Sequence, residues 1–376
     1  MPKKNCSTIL SAVFFLFILS LQAKAQPAKA ESCIQELMQQ SPMVGLSVAV
    51  VKDNKIIYTH SFGLKDVASQ TPLDSSCLFR IASISKSFTA TSLLQLAEAK
   101  KLSLDDDVSK LVGFTVRHPK YPSTVITLRL ILSHRSALND SQGYFSLDFI
   151  NPAKNPNWAK CYSDYEPGTK YRYCNLNFNL AGTILERVSG ERFDQYVKHH
   201  ILDPLGLYAG YCVDSLDASR FATLYEYPND TTKFVAAPAA YAPRSAEIAQ
   251  YTMGYSTPVF SPTGGMKISA IDLARYMTMH MNYGKYKGGR ILRKKSSKLM
   301  QQSLSPEGYG LAIMTRDSLI AGHVMKGHTG SAYGLYSTMF FDPKQKFGIV
   351  AITNGAKGGP DVLNTVVRCL YDQLIK

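Results

Sequence analysis

The chain of 376 residues has no Cys-x-x-Cys pair and no cysteine–histidine cluster at metal-ligand spacing, which argues against a structural zinc site. It has no basic stripe interleaved with aromatic residues. Its formal charge of +14 therefore suits anionic surroundings such as a bacterial envelope, and nucleic-acid binding is set aside. Beyond Leu21 no stretch is apolar enough to span a bilayer. Nor is there an internal repeat, a low-complexity tract or a proline-rich linker, so repeat and disordered architectures are excluded.

What is present begins with an address. Lys3 and Lys4 precede an apolar run, Ile9 to Leu21, and Ala23-Lys24-Ala25 places small residues at the two positions a signal peptidase reads. Residues 1–25 are expected to be a signal peptide cleaved after Ala25, leaving a secreted or periplasmic chain without a membrane span. An uncleaved N-terminal anchor is the competing reading. The 351 residues that follow suffice for one large domain or two closely packed ones. Cys33, Cys77, Cys161, Cys174, Cys212 and Cys369 remain after cleavage, and an even number in an exported chain permits up to three disulfides. His199-His200 falls on an expected helix without a partner carboxylate at useful spacing.

The periodicity changes along the chain. Cys33 to Gln40 reads as a short amphipathic helix, and Val44 to Val51 and Lys55 to Ser61 read as strands joined by a hairpin turn at Asp53-Asn54. From Ser83 the pattern is helical, with Phe88, Leu93, Leu94, Leu96 and Ala97 on one face. Further helices are expected over Leu128 to Leu132, Leu176 to Val188, Phe193 to Ile201 (stopped before Pro204) and Ile271 to Met281. Tyr309 to Thr315, His323 to Gly327, Leu335 to Phe341 and Phe347 to Thr353 read as strands, and Asp361 to Ile375 as a closing helix. Strands and a helix at both ends point to one sheet built from both termini, residues 26–82 and 305–376, with a mainly helical region, 83–304, inserted and an active site where they meet. The terminal helices then become neighbours, which makes Cys33–Cys369 the best single disulfide assignment.

The chemistry gathers at "FRIASISKSFTA", Phe79 to Ala90. Residues i and i+3 share a helix face, so Ser83 and Lys86 set a hydroxyl beside an amine, and at a helix start the serine's own N–H is free to meet an oxyanion. The spacing alone arises by chance roughly once or twice in a chain this long. Its surroundings add more: "EPGTKYRYCNLNFNLAGTILERVSG" (Glu166 to Gly190) carries Tyr173-Cys174-Asn175, and "GHTGSAYG" (Gly327 to Gly334) carries His328-Thr329-Gly330. "LILSHRSAL", "DPLGL" and "PTGGMKISAIDLARY" lie in consistent order around them.

With these stretches the chain resembles the serine β-lactamase and penicillin-binding-protein superfamily, in the branch of class C β-lactamases, DD-peptidases and related esterases. The resemblance implies an α/β fold of the β-lactamase/transpeptidase type, with an antiparallel sheet flanked by helices. It implies a serine hydrolase in which Ser83 forms an acyl-enzyme, Lys86 helps carry the proton and Tyr173 acts as a phenolate-like base. Lys86 with His328 would supply the cationic field that lowers the Tyr173 pKa. Backbone N–H groups of Ser83 and Ser331 would form the oxyanion hole. Asn175, His328, Thr329 and Gly330 would contact substrate, with Gly330 admitting the substrate backbone and His328 meeting a carboxylate. Asn175 is also suited to cap the helix behind it. His134 reads as a structural histidine, Gly264-Gly265 as a turn, and Tyr333 and Tyr336 as either pocket or edge-strand residues. No metal or organic cofactor is implied, because the chain supplies nucleophile, base and oxyanion donors. The implied substrate is a D-amino-acid peptide, β-lactam or small ester, and histidine at 328 in place of lysine leans toward peptidase or esterase. An idle scaffold that binds envelope peptides or self-assembles is the alternative, and the oligomeric state stays open.

Overall fold

The computed structural model describes residues 26–228, 232–255 and 257–376; the expected signal peptide lies outside them. Its main helices are α1 (residues 26–40), α2 (Ser85–Glu98), α3 (Asn175–Ser189), α4 (Ala270–Met281) and α5 (Val362–Leu374). Seven strands among the described residues form the main sheet: β1 (Met43–Lys52), β2 (Lys55–Asp66), β3 (Thr71–Pro72), β4 (Met314–Arg316), β5 (Met325–Ala332), β6 (Leu335–Asp342) and β7 (Phe347–Ala356). The spatial order is β4-β5-β6-β7-β1-β2-β3, antiparallel throughout, so the strands of the two chain ends pair at the centre with Val48 opposite Ala351. At the β1–β2 turn Asp53 and Asn54 take φ of 49° and 68°, left-handed values that these two residue types tolerate.

The central strands are apolar almost without interruption because both faces are covered. Val48, Val50, Ile349 and Ala351 pack with Ile34 of α1 and Val366 and Leu370 of α5. Their alternates Ala49, Val51, Val350 and Ile352 face the other way, into the core that holds Met277 of α4 and Phe88 of α2. Each of the larger aliphatic or aromatic side chains contributes about 1.5–3 kcal/mol when fully buried, so these contacts together outweigh any single covalent tie. That tie is the expected one: α1 and α5 lie side by side and Cys33 and Cys369 are joined, their Cα atoms 6.5 Å apart. Cys77, Cys161, Cys174 and Cys212 are free and buried, so one of the three permitted disulfides forms among the described residues.

Four expectations need correction. Helix α2 is not amphipathic but buried on all sides from Ser85 to Leu94; its small polar residues bond to backbone instead of water, Ser87 to Ile84 O, Thr89 to Pro262 O and Ser92 to Phe88 O. The helix after Phe193 does not stop before Pro204. Proline opens a further helical turn, Asp203–Leu205, where its missing N–H is not needed, and Gly206 at φ 64° ends it. Tyr309 makes only an isolated bridge to Met314 across a bend at Leu311 and Ala312, and Met314–Arg316 alone of that segment forms a strand, while β5 runs on to Ala332. Finally, His200 does have a carboxylate: the chain folds back after Gly190 and brings Glu191 Oε1 within 2.8 Å of its Nε2.

Alkylation of the denatured, unreduced chain is expected to modify Cys77, Cys161, Cys174 and Cys212 and to leave Cys33 and Cys369 unmodified until reductant is added. Peptide mapping by mass spectrometry checks this.

Candidate active site

Ser83 sits in a single helical turn, Ala82–Ile84, that feeds directly into α2. Ala82 before it has φ 46°, a left-handed conformation that costs a residue with a Cβ about 1–2 kcal/mol. The surroundings hold it there. Ser337 Oγ of β6 donates to Ile81 O at 2.9 Å, and Ile81 N donates to Met266 O at 3.0 Å. Gly330 of β5 backs the same turn: a Cβ there would stand 2.2 Å from Ile81 O. Glycine is required at 330 because the chain's own Ser83 turn packs against the strand, whereas the resemblance had it admitting substrate.

Lys86, one turn into the helix, is fully buried. Its Nζ lies 3.0 Å from Ser83 Oγ, 2.9 Å from Asn175 Oδ1 and 3.0 Å from Thr263 O. Loss of hydration lowers its pKa from 10.5 to about 7, against the opposing pull of the Asp140 carboxylate and of Cys174. Two of the three neighbours can only accept. The Asn175 orientation is set because its Nδ2 donates to Asp140 Oδ2 at 3.0 Å, which turns Oδ1 toward the lysine. A neutral amine therefore gives its two protons to Asn175 Oδ1 and Thr263 O and aims its lone pair at the Ser83 hydroxyl.

Asp140 was not singled out from the sequence, although it organises this corner. It accepts the backbone N–H groups of Asn175 and Leu176 at 2.8 and 3.0 Å, so it caps helix α3, the task expected of Asn175 itself. Thr263 was also missed; its Oγ1 donates to Asn175 Oδ1 at 2.9 Å, and the neighbouring glycines form the expected turn, Gly264 N and Gly265 N both reaching Ser261 O. Both residues sit in quoted stretches or beside them, but their partners are 35 and 88 positions away, beyond any local pattern.

Tyr173 reaches the same crevice. Its ring centroid is 4.8 Å from Lys86 Nζ, and its hydroxyl interacts with that of Ser83. Although 37 % of its surface is open, protein atoms crowd the phenol closely enough for lost hydration to push its pKa well up, with the Ser83 interaction only partly offsetting this. His134 positions it. This histidine, buried as expected of a structural residue, accepts Cys174 N–H at Nδ1 (3.2 Å), takes Arg172 N–H on its carbonyl (2.9 Å) and lies 4.3 Å from the Tyr173 ring.

His328 differs from expectation. Only 2 % of its surface is exposed, and both ring nitrogens are engaged: Nδ1–H donates to Thr329 O at 2.6 Å, and Nε2 accepts from Tyr309 O–H at 3.0 Å. Burial, with Lys86 adding to it, lowers its pKa to about 3. A neutral, enclosed imidazole neither meets a carboxylate nor lends Tyr173 a positive field. Thr329 and Ser331 lie beyond the reach of β4, which pairs only with Met325 to Gly327, so the outer edge of β5 is open from His328 onward. Tyr333, in the turn after β5, lines a cavity with Arg80, while Tyr336 packs against the α1–α5 side of the sheet.

A buried lysine amine beside a serine at the start of a helix, packed against a sheet made from both chain ends, is a β-lactamase/transpeptidase-type arrangement. Residues 30–369 match the family model described as Beta-lactamase, and the chain belongs to that family. Protein flp of Staphylococcus aureus (strain MW2) is 24 % identical over 336 residues, 86 % of this chain; the chain spans 62 % of that relative's length. The octameric penicillin-binding protein homologue from Pyrococcus abyssi superposes with a TM-score of 0.73 at 27 % identity, over 92 % of this chain and 76 % of that one. D-amino acid amidase from Ochrobactrum anthropi SV3 shares the fold, with a TM-score of 0.73 at 20 % identity over 93 % and 99 % of the two chains.

Two outcomes follow from the packing. Nitrogen NMR of His328 is expected to show the neutral Nδ1–H tautomer with no titration between pH 8 and 5. Gly330→Ala is expected to lower stability by about 1–3 kcal/mol, read from denaturant midpoints, and to reduce Ser83 reactivity because the turn before it must shift.

Proposed function

We propose that the protein is an exported serine hydrolase that forms an acyl-enzyme on Ser83 and acts on a D-amino-acid peptide, a β-lactam or a small ester. The observation that supports this most is the fully buried Lys86 amine 3.0 Å from Ser83 Oγ, where loss of hydration disfavours its charged form. In this reading Lys86 takes the serine proton as Oγ bonds to the substrate carbonyl carbon, and the resulting oxyanion rests on the N–H groups of Ser83 and Ser331. Tyr173, kept protonated by its surroundings, gives its phenol proton to the leaving nitrogen or oxygen and recovers one from the Lys86 ammonium. The carbonyl–leaving-group bond breaks and leaves the acyl ester. Water then attacks that ester, its proton passes through Tyr173 to Lys86, and Ser83 is released with a proton from the same relay. Lys86, rather than a Tyr173 phenolate, is the base.

Incubation with a fluorophosphonate is expected to add one probe mass to the intact protein, lost in Ser83→Ala. The labelling rate rises with pH to a plateau through an apparent pKa near 7, because only the deprotonated amine accepts a proton. Lys86→Arg, permanently charged, slows it by about 10²–10⁴-fold. Tyr173→Phe slows amide substrates far more than nitrophenyl esters, whose leaving group needs no proton. Absence of labelling by any acylating probe favours a binding scaffold.

A further inference from the structure

Beside the crevice lies a cavity of about 490 Å³ whose lining includes Arg80, Phe145, Arg244, Tyr251, Ser261 and Tyr333. Its size suits a small ligand or part of a peptide. Arg80 has only 7 % of its surface exposed, yet no carboxylate among the described residues pairs with it. Its Nε donates to Gly264 O at 2.9 Å and Nη1 reaches Ala240 O at 3.4 Å, two neutral carbonyls that solvate the guanidinium without neutralising it. Nη2 has no acceptor among the described residues. The Tyr333 ring stands 5.0 Å from Cζ and covers one face of the group.

The neighbouring charges do not compensate. Arg244 is already matched by Glu247, at 2.8 and 2.7 Å, and these two also line the cavity. Lys267, opposite Arg80 in a short strand pair, is buried and donates to Tyr211 O at 2.6 Å; burial and the nearby arginines drive its pKa well down, and it supplies no negative charge. A buried cation without a counter-ion is costly, and an incoming anion relieves that cost. The cavity is also tied to the chemistry: Gly264 O holds Arg80 while the adjacent carbonyl, Thr263 O, holds Lys86. Guanidinium and amine hang from consecutive peptides of one turn.

We propose that this cavity is the anion-accepting part of the substrate site and that Arg80 receives the carboxylate of an acyl-donor substrate through charge-assisted hydrogen bonds. This rests on the serine-hydrolase reading and narrows it to substrates that carry a free carboxylate. It gives Arg80 the task that the enclosed His328 does not perform. The competing role for Arg80 is a pin that fixes the 261–265 turn and meets no ligand.

The test is calorimetry on the Ser83→Ala protein with N-acetyl-D-alanine and its matched amide, N-acetyl-D-alaninamide. The carboxylate is expected to bind at least tenfold more tightly than the amide. Arg80→Gln, shown to be folded by its melting transition, is expected to erase that preference. Lys357→Ala, which removes one exposed positive charge elsewhere, preserves it. Equal affinity for the two ligands, or a preference that survives in folded Arg80→Gln, overturns the proposal. Should Arg80→Gln fail to fold, a crystal of the Ser83→Ala protein soaked in N-acetyl-D-alanine decides: carboxylate oxygens on the Arg80 guanidinium support the proposal, and any other placement or an empty cavity overturns it. The two readings fail separately. Ser83 labelling with equal affinities sinks only the carboxylate site, and a carboxylate preference without Ser83 labelling sinks only the hydrolase.

Discussion

Everything in the crevice depends on one buried amine. Lys86 is enclosed completely, and its three near neighbours are Ser83 one turn earlier and, from distant parts of the chain, Asn175 at the head of α3 and the Thr263 carbonyl. Burial makes the charged form unfavourable, and the shift from 10.5 to about 7 corresponds to a destabilisation on the order of 5 kcal/mol while the lysine is protonated. The sign follows from linkage. The unfolded chain holds this proton more tightly than the folded one, so the penalty is full below about pH 7 and fades as pH rises toward 10.5. A protein that needed only stability would place a methionine or leucine there. Keeping the amine accepts a less stable fold for a base that works near neutral pH.

The sheet makes this affordable in structural terms by fixing the other walls. Strands from both chain ends pair at its centre, covered on both faces, and β5 meets the Ser83 turn at Gly330. Gly330 permits the close approach and Ser337 locks it with a hydrogen bond to Ile81 O. The left-handed Ala82 persists because these contacts over-determine it. Asp140 does the same for the opposite wall, holding the head of α3 and the Asn175 amide together.

Much of this was legible in the sequence. The strand-like runs and turn residues at both ends pointed to the sheet, its construction from both termini, and with them the Cys33–Cys369 link. Ser83, Lys86, Tyr173 and Asn175 were found from motif and resemblance, and they do converge. What stayed hidden was long-range. Residue type alone makes His328 a plausible cation, and only its enclosure by Tyr309 and Thr329 makes it neutral. A tyrosine beside a lysine suggests a phenolate, but crowding drives its acidity the other way. Arg80 sits inside the quoted motif, three residues before the serine, and looked unremarkable because its lack of a counter-ion is a property of space rather than of spacing. Helix α2 misled for a related reason: its one apolar face was visible, but the burial of its serines and threonines rests on backbone acceptors that include a carbonyl far along the chain.

The most direct measurement is a carbon NMR titration of the Lys86 ε-methylene in lysine-labelled protein, assigned by comparison with Lys86→Met. A midpoint near pH 7, at least two units below the other lysines, is the expected result. A midpoint near 10.5 would mean that Lys86 is a permanent cation at neutral pH, and the proton route from Ser83 would have no acceptor.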